Sequence, residues 1–267
     1  MGYSLVLEGN IVDPLDGVFR GWVGIEGELI AEIGRKPEEE TPDGKRVLRL
    51  GLKEFIFPGF IDPHVHLRQP GADYKESFYT GSRAAAAGGV TTMIDMPNNL
   101  NGCETTTQER LREKVALKRT AIIDVYFHGG IGPATLKELE RMAEVEDMLG
   151  IKVYMGPTTG GLVLRGEGAE EQAVEAVSRL RRPDGRRMPA SFHAEDFRII
   201  EEMERKLNYR RDPLAHCDSR PREAEATAAE RALRYAERYG VPANICHPSA
   251  KETMGLVAAY QQKGNPV

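Results

Sequence analysis

Two histidines stand two residues apart in the segment PGFIDPHVHLRQPG, and an arginine follows two residues later. His64 and His66 come at the end of a predicted strand, where side chains at positions i and i+2 point to the same side. Both imidazoles could therefore bind one metal ion. Arg68 lies on the same side, and its planar guanidinium suits a carboxylate. By itself, the HxH pair fits a metal site and a pair of ordinary core histidines about equally well.

Further histidines stand at the ends of other predicted strands. His193 ends the strand in PASFHAE, and His247 ends the strand in VPANICH. Active sites of parallel β/α folds lie at this end of the strands, so we expect the four histidines to share a metal site, with zinc favoured for hydrolysis. Lys152 lies inside the apolar strand GIKVYM, where an unpaired ammonium is costly. A neutral Lys152 can add CO2 and form a carbamate that bridges two cations; the alternative is an amine that reaches the surface.

Strands and helices alternate in the predicted order of elements from Phe55 onward, which indicates a parallel α/β fold. Six strand–helix units are expected before the chain reaches Val267, whereas a complete (β/α) barrel has eight. The β/α portion over residues 55–267 is therefore either an open fold or the front part of a longer barrel protein. Residues 1–54 contain short β-type runs and are predicted to form a small β appendage. Pro133 is expected to begin one of the barrel helices.

The composition excludes several classes of protein. The chain has 267 residues and a formal charge of −5, which allows one good-sized core and argues against a nucleic-acid binder. It has no apolar run of about 18 residues and no leader-like start, so we expect neither a membrane span nor a signal peptide. Three widely spaced cysteines suit a reducing compartment, and a cytoplasmic location is expected. Cys103, Cys217 and Cys246 are interpreted as ordinary buried or loop residues.

Several other polar residues receive a structural interpretation. His128 is expected to be a core or pocket-wall histidine, and His216 is expected in a loop. Glu195 and Asp196 follow His193 directly, and they could either orient metal ligands or cap a helix. The sequence alone does not decide between these two roles.

The segments DPHVHLRQPGADYKE and AAAAGGVTTMIDMPNN together resemble the class I dihydroorotases, in the cyclic-amidohydrolase branch of the amidohydrolase superfamily. The likeness continues through GIKVYMG, FHAED, RPREAEATAAERAL and ICHPS, and so covers nearly the whole chain. It implies an incomplete TIM (β/α) barrel of the metal-dependent hydrolase type over residues 55–267, with residues 1–54 as part of a β-sandwich. It also implies two bound Zn2+ ions. His64 and His66 would bind one ion and His193 and His247 the other. Lys152, in its carboxylated form, would bridge the two ions.

The resemblance also implies an activity. Dihydroorotases are zinc-dependent cyclic amide hydrolases that reversibly cyclise N-carbamoyl-L-aspartate to (S)-dihydroorotate in de novo pyrimidine (UMP) biosynthesis. Arg68 and Asn98 would bind the substrate carboxylate, although an ordinary Pro-Asn-Asn turn is the alternative for Asn98. The implied assembly is a homodimer or a complex with aspartate carbamoyltransferase, with neither nucleic acid nor membrane as a partner.

The chain departs from the family pattern near its C-terminal end. The family's catalytic aspartate follows the last barrel strand, but no aspartate follows Asp218 here, so that residue would lie beyond Val267. General-base catalysis is worth about 10²–10⁴-fold, and we therefore expect impaired activity from this polypeptide alone. Two alternatives stay open: another cyclic amidohydrolase, such as a hydantoinase, dihydropyrimidinase or allantoinase, and a non-catalytic scaffold that resembles dihydroorotase.

Overall fold

The computed structural model describes residues 2–132, 134–159 and 161–267. The chain divides into two compact units, Met1–Phe60 and Ile61–Val267. The boundary expected from the sequence lay between residues 54 and 55. Pro133, which was expected to begin a helix, lies outside the described residues.

The first unit contains a five-stranded sheet. Its strands are β1 (Leu5–Asp13), β2 (Gly17–Glu26), β3 (Leu29–Arg35), β4 (Val47–Arg49) and β5 (Phe55–Ile56). Strand β2 pairs antiparallel with both β1 and β3, whereas β4 and β5 pair parallel with β1. The turn into β2 places Gly17 at a φ of 77°, a left-handed conformation that glycine adopts without steric cost. The pairing of β5 with β1 places Phe55 and Ile56 in this sheet.

The second unit contains a six-stranded sheet whose strands follow one another in chain order. Its strands are β6 (Phe60–Val65), β7 (Val90–Asp95), β8 (Asp124–Gly130), β9 (Met148–Tyr154), β10 (Ala190–His193) and β11 (Ala243–Ile245). From β7 to β11 every neighbouring pair is parallel. The sheet curls into a half-barrel covered by helices, which confirms the predicted incomplete TIM barrel.

Eight α-helices lie within the described ranges. They are α1 (Phe78–Ala87), α2 (Gln108–Leu117), α3 (Leu139–Ala143), α4 (Glu167–Ser178), α5 (Phe197–Lys206), α6 (Ala215–Asp218), α7 (Arg222–Tyr239) and α8 (Lys251–Gln262). The ends of α1 follow sequence signals, since Ser77 and Thr80 form a capping box and Gly88 ends the helix. Helix α7 ends at Gly240, whose φ is 62°. Among these helices, none is both long and apolar enough to cross a lipid bilayer.

The prediction that His216 lies in a loop was wrong, because this residue is part of the short helix α6. The backbone carbonyl of His216 accepts hydrogen bonds from the side chains of Ser219 and Arg220, which close the turn after the helix. Helix α5 was not predicted either. It begins at the N-cap residue Asp196. The sequence allowed this residue either a capping role or a role in orienting metal ligands.

The core of the second unit lies between the sheet and the helices. Fully buried side chains from the strands meet fully buried side chains from α2, α4 and α7, among them Phe127, Ile151, Val153, Leu111, Val174 and Leu233. Burying one such side chain contributes about 1.5–3 kcal/mol. Helix α7 buries mostly alanines, which allow a helix to approach its neighbours closely. This packing fixes the strands whose ends carry the histidines.

Candidate metal centre

Four histidines that the sequence singled out lie in a row of neighbouring rings. The ring centroids of His64 and His66 are 5.2 Å apart, those of His64 and His247 are 5.3 Å apart, and those of His193 and His247 are 5.0 Å apart. Nδ1 of His193 lies 3.2 Å from Nε2 of His247. The structure therefore brings together imidazoles from the ends of β6, β10 and β11. Their role as metal ligands stays a prediction.

His64, near the end of β6, and His66, directly after it, are neutral at pH 7. The pKa of His64 is lowered to about 3, first by burial and then by the positive charge of Lys152. The pKa of His66 is lowered to about 4 by burial and by the charges of Arg68 and Lys152, while a contact with Asn98 opposes this shift. Neutral imidazole is the form that binds metal ions.

The two histidines at β10 and β11 have different surroundings. Nε2 of His193 lies 3.0 Å from a carboxylate oxygen of Glu195, and Glu195 in turn lies 3.6 Å from the guanidinium of Arg220. A carboxylate on one ring nitrogen commonly orients a histidine whose other nitrogen binds a metal. His247 is exposed and has a φ of 40°, a left-handed backbone that is uncommon for a residue other than glycine. Such conformations cluster at functional sites.

Asp196 caps helix α5. One of its oxygens accepts hydrogen bonds from the backbone N–H groups of Arg198 and Ile199 at 2.9 and 3.1 Å, and the other pairs with Arg231. Burial raises the pKa of Asp196, but the hydrogen bond from Arg231 and the two backbone N–H groups outweigh burial and lower the pKa overall. Of the two acidic residues that follow His193, therefore, Glu195 contacts the histidine and Asp196 caps the helix.

Lys152 is buried in β9, with 1% of its surface exposed. This burial excludes the alternative in which its amine reaches the surface. Burial lowers the pKa of Lys152, and the thiol of Cys246, whose Sγ lies 2.7 Å from Nζ, opposes that shift. The sequence identified Cys246 as an ordinary residue, and it gave no sign of this contact because 94 residues separate the two side chains.

Tyr154 is a second residue that sequence analysis missed. Its ring centroid lies 6.0 Å from that of His193, and Nζ of Lys152 lies 5.5 Å from the same ring. The Tyr154 hydroxyl is buried and has no hydrogen-bond partner among the described residues. Its pKa is raised, chiefly by burial. The i, i+2 relation to Lys152 within β9 is the signal that could have identified it.

His128 has the core position that the sequence predicted. It is 5% exposed, and burial lowers its pKa to about 3. The structure does not place it in the row of rings formed by the four histidines at the strand ends.

Both predicted substrate-binding residues border His66. The charge of Arg68 lowers the pKa of His66, and Asn98 contacts the same imidazole. Arg68 is half-buried and Asn98 is 4% exposed. Nδ2 of Asn98 donates to the hydroxyl of Thr158 at 3.4 Å, and Oδ1 of Asn98 is buried without a hydrogen-bond partner in the described part of the chain. An unpaired buried amide oxygen is costly, and a ligand N–H or O–H group that donates to it would offset that cost.

The donor set fits two zinc ions in type. Within the described residues, no group of three or more His, Cys, Asp and Glu side chains is arranged to hold a metal ion. The predicted arrangement does not need such a group, because it assigns two imidazoles to each ion and one shared ligand derived from Lys152. The imidazoles of His64 and His66 are neutral, and Glu195 binds the Nε2 of His193, as a zinc ligand requires.

Comparison with known proteins gives a consistent picture. Residues 55–256 match the family described as the Amidohydrolase family. The chain is 37% identical over 203 residues to a dihydroorotase of Methanosarcina mazei. This alignment covers 75% of this chain and 42% of the dihydroorotase. It is 31% identical over 267 residues to an allantoinase of Deinococcus radiodurans. This second alignment covers 99% of this chain and 57% of the allantoinase. The chain spans about half the length of the curated relatives that it matches.

Solved structures support the same fold. The L-hydantoinase from Arthrobacter aurescens superposes with a TM-score of 0.83 at 24% identity, over 99% of this chain and 57% of that one. A D-hydantoinase superposes with a TM-score of 0.78 at 28% identity, over 98% of this chain and 56% of that one. These structures show the fold, and the family match and the dihydroorotase relatives confirm the resemblance found in the sequence.

Proposed function

The chain belongs to the amidohydrolase family, and from this we propose that it provides the metal site and the carboxylate-binding residues of a cyclic amide hydrolase of the dihydroorotase type. The proposed reaction is the reversible cyclisation of N-carbamoyl-L-aspartate to dihydroorotate. Relatives of this chain include dihydroorotases, allantoinases and hydantoinases, which all fall in the class of cyclic amide hydrolases. The activity and its substrate are both part of the proposal, because the chain spans about half the length of these relatives.

We propose that the two pairs of histidines each hold one zinc ion, in a family that is generally metal-dependent. His64 and His66 would hold the first ion, His193 and His247 the second, and the carbamate of Lys152 would lie between them. Two ions so held would lower the pKa of a water molecule and stabilise negative charge on the substrate's carbonyl oxygen. Forming the carbamate requires a neutral amine, and the lowered pKa of the buried Lys152 favours that form.

The positions of Arg68 and Asn98 beside His66 are our reason for favouring dihydroorotate as the substrate. Dihydroorotate has an exocyclic carboxylate next to its ring amide, whereas hydantoin and dihydrouracil have none. The guanidinium of Arg68 can bind both oxygens of that carboxylate, and Asn98 supplies a buried amide next to it. Held by these two groups, the ring would lie with its amide against the histidines.

Allantoinase activity is the second candidate. Allantoinases of Deinococcus radiodurans and Streptomyces avermitilis match 99% and 98% of this chain, more than the 75% that the dihydroorotase of Methanosarcina mazei matches. Allantoin carries a neutral ureido group where dihydroorotate carries a carboxylate. The cation of Arg68 beside the site therefore favours the first candidate.

The test is an assay of the zinc-loaded protein against N-carbamoyl-L-aspartate, allantoin and hydantoin, together with calorimetric titration of dihydroorotate. We expect binding of dihydroorotate, and turnover of carbamoyl aspartate in preference to allantoin and hydantoin. Arg68→Met should weaken dihydroorotate binding by about 2 kcal/mol or more. Turnover of allantoin or hydantoin without that of carbamoyl aspartate would contradict the proposed substrate.

A further inference from the structure

Two short segments carry the proposed substrate-binding residues. Residues 67–70 contain Arg68, and residues 95–99 contain Asn98. We name these two stretches the substrate segments. One side chain from helix α2, that of Lys114, binds the second segment directly and the first through two of its partners.

Lys114 and its partner Asp95 are both almost completely buried. The side chains of Lys114 and Asp95 are 1% and 0% exposed, and Nζ lies 2.5 Å from Oδ2 of the carboxylate. The same amine donates to the carbonyl of Met96 at 3.1 Å and to Oδ1 of Asn99 at 2.9 Å. The ammonium thus makes one ion pair and two hydrogen bonds, all with groups of the second substrate segment.

The partners of Lys114 reach across to the other substrate segment. Oδ1 of Asp95 accepts a hydrogen bond of 2.8 Å from the backbone N–H of Leu67. Nδ2 of Asn99 donates to the backbone carbonyl of Pro70 at 2.9 Å. Residues 67 and 70 flank Arg68, so the backbone on both sides of this arginine is fixed to groups that Lys114 holds.

Stability alone gives a weak reason for this arrangement. Complete burial raises the pKa of Asp95, and the charge of Lys114 opposes that shift. The free-energy cost of desolvating the two charges therefore offsets much of their attraction. Replacing a buried ion pair by neutral residues of similar shape often leaves the stability of the folded protein unchanged. A charge pair does offer fixed, directional contacts to several groups at once, and here those groups belong to both substrate segments.

We propose that Lys114 is a positioning residue for carboxylate recognition. It fixes the segment with Arg68 relative to the segment with Asn98, so that the guanidinium and the amide address the same carboxylate. Lys114 itself contacts no substrate. The inference rests on the proposed function for its substrate, and on the contacts described above for its geometry.

The test compares three variants with the wild-type protein. Lys114→Met removes the cation but leaves a buried carboxylate. The double variant Lys114→Met/Asp95→Asn removes both charges, and its melting temperature should recover most of what the single variant loses. Lys118→Met is the matched control, because Lys118 also binds a carboxylate (Asp147) and a backbone carbonyl (Val125) but contacts neither substrate segment.

Hydrogen exchange of the backbone amides is the first readout. In the double variant, amides of residues 68–72 and 96–105 should exchange at least about tenfold faster than in wild type, while amides of β8 and β9 keep their protection. Lys118→Met should leave both stretches unchanged. A merely structural role predicts that exchange returns to the wild-type pattern as the melting temperature recovers, and that result would overturn the proposal.

Ligand binding is the second readout, with dihydroorotate and dihydrouracil as probes of the zinc-loaded protein. The rings of the two probes differ only in the carboxylate. The double variant should bind dihydroorotate about 10- to 100-fold more weakly and dihydrouracil as wild type does. An equal loss for both probes would overturn a role in carboxylate recognition. Wild-type protein that binds neither probe would contradict the proposed function, and the exchange data would still decide whether Lys114 fixes the two segments.

Discussion

The two sides of the candidate site are held by different physical means. On the β6–β7 side, which comprises residues 64–68 and 95–99, histidines of low pKa stand beside backbone fixed by a fully buried ion pair. On the β10–β11 side, which comprises residues 193–196 and 247, His193 is held by Glu195 and Arg220, whose side chains are each 20% exposed. His247 is exposed on the same side.

The buried ion pair on one side and the partly exposed ion pair on the other suit different tasks. A charge pair shielded from water interacts strongly and depends on exact partners, whereas water screens a partly exposed pair. The β6–β7 side therefore suits recognition of a substrate group at a fixed position. The β10–β11 side suits ligands whose orientation is set by a carboxylate and adjusts when an ion binds.

The largest expected effect is on the free energy of unfolding. Lys114→Met should cost about 3–5 kcal/mol because it leaves Asp95 as an unpaired buried carboxylate. Arg220→Met should cost less than about 1 kcal/mol because its ion pair with Glu195 is partly exposed. Urea unfolding at pH 7 measures both values. Similar costs for the two variants would remove the contrast between the two sides.

The second effect concerns zinc affinity on the β10–β11 side. Glu195→Gln should weaken zinc binding about 10- to 100-fold, because the neutral amide no longer orients His193 as a carboxylate does. Glu201→Gln on helix α5 is the control, since Glu201 is exposed and should leave the affinity unchanged. Competition with a chelator gives the dissociation constants. Equal affinities for the two variants would show that Glu195 does not orient a ligand.

The third effect is a pH dependence of stability that comes from Asp196. Its pKa is lowered in the folded protein, so its contribution is present above the unfolded-state pKa of about 3.9 and disappears as the pH falls through the lower folded value. Asp196→Asn should cost about 1–2 kcal/mol at pH 7, since asparagine still caps α5 but loses the ion pair with Arg231. At pH values below the lowered folded-state pKa of Asp196, the variant and wild type should converge. A constant difference at all pH values would contradict this account.

The smallest effect is expected between the two sides, at Tyr154. Its buried hydroxyl has no partner among the described residues, so Tyr154→Phe should leave the melting temperature unchanged or raise the stability by up to about 1 kcal/mol. Thermal unfolding measures this difference. A clear loss of stability would mean that the hydroxyl has a partner in the folded protein.

Much of the fold was predictable because its signals are local. The capping residues and glycines around α1, and the apolar runs that became β6 to β11, are visible in short stretches of sequence. The positions of His64, His66, His193 and His247 followed from one rule, that side chains at the ends of parallel strands meet. Helix α5 was missed because its one clear signal, Asp196, also fitted a role beside the histidines.

The contacts that the sequence did not reveal join residues far apart in the chain. Cys246 reaches Lys152 only when β11 lies beside β10 and β10 beside β9. Lys114 looked like one more charged residue on a helix, and its burial depends on how α2 packs against the end of β7. No spacing rule predicts such contacts, because they depend on tertiary packing rather than on local periodicity.

The most direct test of the account is anomalous diffraction at the zinc edge from crystals of the zinc-loaded protein. We expect two zinc peaks, one about 2.0–2.1 Å from ring nitrogens of His64 and His66 and the other at the same distance from His193 and His247. Electron density for a carbamate on Lys152 should lie between them. Zinc bound elsewhere, or no peak beside these four histidines, would contradict the proposed metal centre.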